Sequence, residues 1–329
     1  MKKITFTLLL VCLVLSSGLV DKLQAQEEIS KEDLAEQAAL ASSNPLGGNF
    51  IILFNQWNID FLQGDITNKT RNFYTHIFQP VIPIPVKFLC EYCIWVHRPT
   101  FAFIYSADLP QGVDVEIPPG GAPEIPEGPP IGPISFNSQG GFGDIIYFSL
   151  VGISKPIDAG ALGRGDLVLA PGITTIWPAG SNKFSSNRYS AGPAAVAAFI
   201  GERFIFGALG QQWWSYGERS RGDNNPVVNE ALIQYFYFMN FPGAWQIGGA
   251  PQIEIDFEAK SGDKLQWPVG LGIQKTIVLP LGEKAKLPIK LGIEAQYYVA
   301  QADTYANEWR IQFTFAPIIP APWANIPGM

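Results

Sequence analysis

The residues with chemical potential in this chain are few and regularly spaced. Gln252, Glu254 and Asp256 recur at alternate positions, as do Lys290, Glu294 and Gln296, with Arg310 further on. Such a set could form a salt-bridged network, or it could line a polar path that binds or selects a solute. Cys90 and Cys93 form a C-x-x-C, which is half a zinc site or a redox pair. No second C-x-x-C follows, and in an extended strand residues three apart point to opposite faces, so a shared metal is disfavoured. A disulfide would need a local turn, for which Pro83 and Pro85 lie just upstream. His76 and His97 fall on neighbouring expected strands, apart in register. No G-x-S-x-G, Walker or G-x-G-x-x-G pattern occurs, so a hydrolase elbow and nucleotide binding lack support. No catalytic residue, metal or cofactor is assigned. Arg164-Gly165-Asp166 spells an adhesion tripeptide but falls at an expected inner strand start, where chance accounts for it better.

The elements that must position the polar set are strands. Over residues 245–315 the chain alternates strictly. Ile247, Ile253, Ile255 and Phe257 lie opposite Gln246, Gln252, Glu254 and Asp256. Val269, Leu271 and Ile273 lie opposite Gly270, Gly272 and Gln274. Leu291, Ile293, Tyr297 and Val299 lie opposite Lys290, Glu294, Gln296 and Tyr298, and Trp309, Ile311, Phe313 and Phe315 opposite Arg310, Gln312 and Thr314. Period-2 alternation means a sheet with one apolar and one polar face. These strands run to roughly 10–13 residues, where ordinary globular strands average about 5–6 and a bilayer core needs about 9–11. Strand signals recur near 49–61, 71–82, 87–105, 141–154, 165–177, 189–200, 203–216, 228–239, 245–258, 267–279, 288–300 and 308–316. About twelve strands with alternately short and long connections fit an all-β, antiparallel, up-and-down transmembrane β-barrel. Its polar face would then be the lumen, lined by the residues named above. Trp177, Trp213, Trp214, Trp267 and Trp309 at outer strand ends and Trp245 at an inner end would form interfacial girdles. Lys275 falls on the lipid face and would have to snorkel to an interface.

Composition agrees. Charged residues make up 16%, below the roughly 25% of soluble domains. A net charge of -7 with 22 Lys and Arg argues against a nucleic-acid partner. Lys2 and Lys3, the apolar stretch from Ile4 to Leu15 and small residues up to Ala25 read as a secretory signal over 1–25. Residues 26–44 read as a helical lead-in or plug, with Ser30 and Asp33 as a capping pair. The barrel is expected over 45–316 and a tail over 317–329. Residues 106–140 form a long outer loop rich in Pro and Gly, with acidic and no basic side chains, suited either to a self-repelling surface loop or to a constriction.

Short motifs in fixed order support a family resemblance. They are Asn44-Pro45, Gln79-Pro80-Val81-Ile82-Pro83, Gly140-Gly141-Phe142-Gly143-Asp144-Ile145, Ala170-Pro171-Gly172 and Ser190-Ala191-Gly192-Pro193. Then follow Gly207-Ala208-Leu209 with Trp213-Trp214-Ser215, Trp267-Pro268-Val269, Tyr297-Tyr298 and Trp309-Arg310-Ile311. Over about residues 44–316 the chain resembles the bacterial outer-membrane family named for the meta-pathway of phenol degradation. The resemblance implies a barrel in the outer membrane, inserted by the barrel-assembly machinery, that passes small and in part aromatic solutes. The long 108–141 loop and the chain beyond Phe315 depart from the family pattern. The expected function is a passive channel with the lipid bilayer and a small solute as partners. The rivals are a non-conducting surface-interaction barrel and a barrel enzyme using luminal carboxylates near His76 or His97.

Overall fold

The computed structural model describes residues 30–44, 46–111, 134–181, 183–219, 227–281 and 285–324. The expected signal, the tip of the 106–140 loop and the last residues of the tail lie outside these. A helix α1 (Lys31–Ser43) is followed by β1 (Phe50–Gln63), β2 (Arg71–Pro85), β3 (Cys93–Pro110), β4 (Phe136–Phe142), β5 (Ile145–Asp158), β6 (Arg164–Trp177) and β7 (Arg188–Gly201). The second half holds β8 (Phe204–Glu218), β9 (Asn229–Phe241), β10 (Trp245–Gly249), β11 (Gln252–Asp256), β12 (Leu265–Leu281), β13 (Ala285–Ala300) and β14 (Ala306–Pro320). β4 and β5 make one crossing, interrupted at Gly143-Asp144, and β10 and β11 another, interrupted at Ala250-Pro251. The result is a twelve-stranded antiparallel barrel.

Closure is carried by β1 against β14, paired from Phe50↔Pro320 to Gln63↔Ala306. A closed sheet leaves no unpaired edge, which is the condition for a sheet to cross lipid. The alternation of 245–315 becomes an outside and an inside. Leu271 is 64% exposed and Ile273, Leu291, Ile293, Val299 and Phe313 are exposed beside it, while Lys290, Glu294, Gln296 and Arg310 are buried within.

Trp177, Trp214, Trp267 and Trp309 face outward near outer strand ends. Trp245 faces outward at the inner end, with the Lys275 ammonium 4.4 Å from its ring centroid, so the lysine lies near an interface. Trp213 is a correction. It is 1% exposed, donates to Thr174 Oγ1 at 3.0 Å and packs with Ile176, Val228 and Leu232 inside the barrel. Strand parity sends adjacent tryptophans to opposite faces, so the Trp213-Trp214 pair could never both lie in a girdle.

Several boundaries also differ from expectation; residues 106–110 and 136–140, expected in the long loop, are strand, with β3 and β4 paired from Ala107↔Gln139 to Pro110↔Phe136. Residues 87–92 form a turn, not strand. Val86 N donates to Cys93 O at 2.9 Å, Cys93 N donates to Cys90 O at 3.2 Å, and Cys90 and Cys93 form a disulfide across it. At the C-terminus β14 continues to Pro320, past the expected end at 316, and Trp323 Nε1 donates to Gly48 O at 3.0 Å.

The outward belt gives a direct test. Leu271→Arg should destabilise the barrel in lipid vesicles by about 2–4 kcal/mol in a urea titration, as a basic side chain near the midplane does. Leu271→Ala should cost much less. Equal, small effects would place Leu271 outside the lipid belt.

Candidate functional site

The lumen is built in layers. In its outer half Asp60 on β1 meets Arg310 on β14, with Arg310 Nε donating to Asp60 Oδ1 at 2.6 Å, both side chains buried. A ladder of amides continues from this pair. Gln312 Nε2 donates to Asn58 Oδ1 at 2.9 Å and Gln56 Nε2 donates to Gln312 Oε1 at 3.0 Å. These groups border a cavity of about 100 Å³ that Gln252, Gln296 and Arg310 also line. Glu254 points inward and is buried, and neither carboxylate oxygen has a partner among the described residues. Asp256 sits at the outer rim and accepts from the backbone of Glu258 at 2.8 Å and Ala259 at 3.2 Å, holding the turn.

Nearer the inner end a second cavity of about 150 Å³ is lined by Lys290 and Glu294 on its polar side. Lys290 Nζ donates to Gln246 Oε1 at 2.8 Å and to Ser43 Oγ at 3.2 Å. Glu294 accepts from Ala250 N at 3.1 Å and from Gln296 Nε2 at 2.9 Å. It reaches across β12 because position 270 is glycine, where a Cβ would overlap the carboxylate. The opposite wall of this cavity is apolar: Phe54, Val81, Phe148, Leu150, Val196, Leu209 and Phe236. The lumen is therefore not uniformly polar, contrary to expectation. In the inner half of the earlier strands both faces are apolar, one toward lipid and one toward the cavity. Gln56, Gln79, Arg98, Gln234 and Gln312 border both cavities and mark where they adjoin.

Each end is narrowed. At the inner mouth α1 buries Leu34 and Ala38, and Glu36 Oε1 accepts from Gly243 N at 3.0 Å. Asn44 Nδ2 donates to Ser154 Oγ at 3.0 Å and Asp166 Oδ2 at 3.2 Å, so the tripeptide aspartate ties the segment after the helix to the wall. The helix does not fill the mouth. Open clefts of about 660 and 880 Å³ flank it, between the helix and the inner ends of β5–β7 and of β7–β10. At the outer mouth the segment between β6 and β7 folds inward. Asp144 Oδ2 accepts from Ser186 N and Oγ at 2.9 Å each, and Oδ1 from Gly180 N at 3.0 Å. This clip seats Phe184 against Phe73, Ile104 and Tyr305. Tyr305 donates to Asp108 O at 2.8 Å, and burial raises the pKa of its phenol.

The histidines are outside. His76 stacks on Trp57 at 4.7 Å and hydrogen-bonds Asn55, and His97 Nδ1 hydrogen-bonds Tyr147 OH at 2.6 Å beside Trp95. Both lie on the outward parity of their strands, with the barrel wall between them and the luminal carboxylates. His76 and His97 are therefore not brought together with the luminal carboxylates. Sequence reasoning missed Asp60 and Arg98. Arg98 lies well inside β3, where a basic side chain facing lipid is costly, and that alone would have turned it inward; Asp60 lies nearer the outer end of β1, beyond Asn55, Gln56 and Asn58.

No protein-family model matches the chain, and no curated protein matches it in sequence. Among the solved structures that align with the chain are three outer-membrane proteins, each with a TM-score below 0.5. An outer-membrane channel from Pseudomonas putida F1 is 12% identical, over 83% of this chain and 96% of that one, with a TM-score of 0.49. A Pseudomonas aeruginosa FadL homologue is 10% identical over 89% and 95%, with a TM-score of 0.38. The CymD monoaromatic hydrocarbon channel is 9% identical over 91% and 96%, with a TM-score of 0.35.

The Asp60–Arg310 pair makes a measurable claim. Asp60→Asn leaves a buried guanidinium without its anion and should cost about 3 kcal/mol of unfolding free energy in vesicles. The double variant Asp60→Asn, Arg310→Gln should recover part of that loss. A single variant as stable as the wild type would mean that the pair holds nothing together.

Proposed function

We propose that this chain is a bacterial outer-membrane channel for passive movement of small solutes with both apolar and polar parts. The observation that carries the reading is the two-sided inner cavity. Aromatic and branched side chains of β1, β2, β5 and β7–β9 face Lys290, Glu294, Gln312 and Thr314 across it. A packed barrel interior would fill this space with side chains, and a wide porin would line it with charge all round. A half-apolar cavity with convergent amides and charges suits a ligand that presents two chemistries. The family resemblance over residues 44–316 points toward the same solutes, aromatic ones included. In this reading α1 partly closes the inner mouth and the Asp144-clipped segment closes the outer one. β14 is the terminal strand for the barrel-assembly machinery to engage.

The test is single-channel conductance of the refolded protein in a planar bilayer, with and without residues 31–43. The wild type should give small discrete steps, and the deletion should raise unit conductance at least about twofold, since the helix takes up part of the inner mouth. If neither protein gives steps although both migrate as folded, heat-modifiable barrels, a non-conducting surface role replaces the channel.

A further inference from the structure

Arg98 holds unused binding capacity at the junction of the two cavities. The other luminal cations are committed: Arg310 to Asp60, and Lys290 to Gln246 and Ser43. Arg98 Nη1 donates to Gln234 Oε1 at a long 3.4 Å, its Nε is buried with no partner among the described residues, and it forms no ion pair among them. The guanidinium is fixed over the Phe148 ring, 4.3 Å from its centroid. A guanidinium carries five N–H donors in a rigid fork shaped to a carboxylate, and leaving such donors unmatched away from water is costly. On the neighbouring strand the buried Gln79 amide borders the same junction and makes no hydrogen bond to a described residue.

The two directions from Arg98 differ. Toward the outer mouth the lining is polar and carries the carboxylate of Asp144 beside the mutually paired Asp60 and Arg310. Toward the inner mouth Phe148, Leu150, Leu209 and Phe236 line the apolar wall of a cavity of about 150 Å³, enough for one ring or a short chain.

We infer that this junction is a binding site for a small amphipathic monocarboxylate, its carboxylate on the Arg98 fork and the Gln79 amide, its ring or chain against Phe148 in the inner cavity. The inference rests on the channel reading for its purpose, though not for its measurement. An Arg–carboxylate fork binds through two charge-assisted hydrogen bonds, which a neutral hydroxyl cannot match.

Calorimetric titration of the full-length, detergent-folded protein with benzoate and with benzyl alcohol tests it. The wild type should bind benzoate at least about tenfold more tightly than the alcohol. Arg98→Gln should lose that preference and leave benzyl alcohol binding within about twofold, because the apolar wall is intact. Arg98→Lys, which keeps the charge without the fork, should fall between. Equal benzoate affinity in the wild type and Arg98→Gln overturns the site, as does a wild type with no preference for the carboxylate, whether or not a variant folds. Conductance steps without benzoate preference would sink the carboxylate site and spare the channel. Arg98-dependent binding without steps would do the reverse.

Discussion

A bilayer offers no hydrogen-bonding partner to a peptide group, so every backbone donor and acceptor of a spanning wall must be paired within the protein. The β1–β14 ladder is the direct consequence. The same constraint explains features that look local. Where the β10–β11 crossing breaks at Ala250-Pro251, its ladder with β12 lapses between Gly248↔Gly272 and Glu254↔Gln266. Side chains supply what the ladder lacks. On the outer face Tyr235 and Tyr237 of β9 donate their hydroxyls to Pro268 O and Gly270 O. On the inner face Glu294 accepts from Ala250 N. At the other broken crossing, Asp144 takes up backbone donors of the segment that folds over the outer mouth.

Closure also explains how the lumen is divided. Twelve strands enclose more room than their own inward side chains fill, and the remaining space is lined rather than packed. Strands β12–β14 line it with charges and amides, Arg310 held by Asp60 of β1 and Lys290 by Gln246 of β10 and Ser43 of the helix. The inner halves of the earlier strands line it with Phe, Leu and Val. The helix at one mouth and the clipped segment at the other turn an open tube into two adjoining cavities. Arg98 stands between them, held by a ring face and not by an acid.

The sequence made the strands and their parity legible wherever only one face is apolar. Residues 245–315 alternate cleanly, and Leu271 and Glu294 lie on the sides that alternation assigns. It failed where both faces are apolar. β7 runs Ala194-Ala195-Val196-Ala197-Ala198-Phe199-Ile200, and nothing in that run separates lipid from lumen, since periodicity cannot speak for a strand buried on both sides. The apolar wall of the inner cavity was therefore invisible. Trp213 lies near a strand end, where tryptophan suits an interface, yet strand parity turns it inward. The Cys90–Cys93 turn is hidden in the sequence because the aromatic and aliphatic residues around it have high strand propensity, and only the prolines before it signal a turn. The charged groups are legible from β11 onward and missed at Asp60 and Arg98, which belong to no run of alternating charges.

The central claim is that the inward parity of these strands borders a water-accessible path and the outward parity borders lipid. Gln79 and Phe78 are adjacent on β2, on opposite sides of the wall, and Cys90 and Cys93 are tied to each other. The decisive measurement is labelling of Gln79→Cys and Phe78→Cys in lipid vesicles by a small, charged, membrane-impermeant thiol reagent. Gln79→Cys should react and Phe78→Cys should be protected. Reaction at Phe78→Cys with protection at Gln79→Cys, or protection of both, would contradict it.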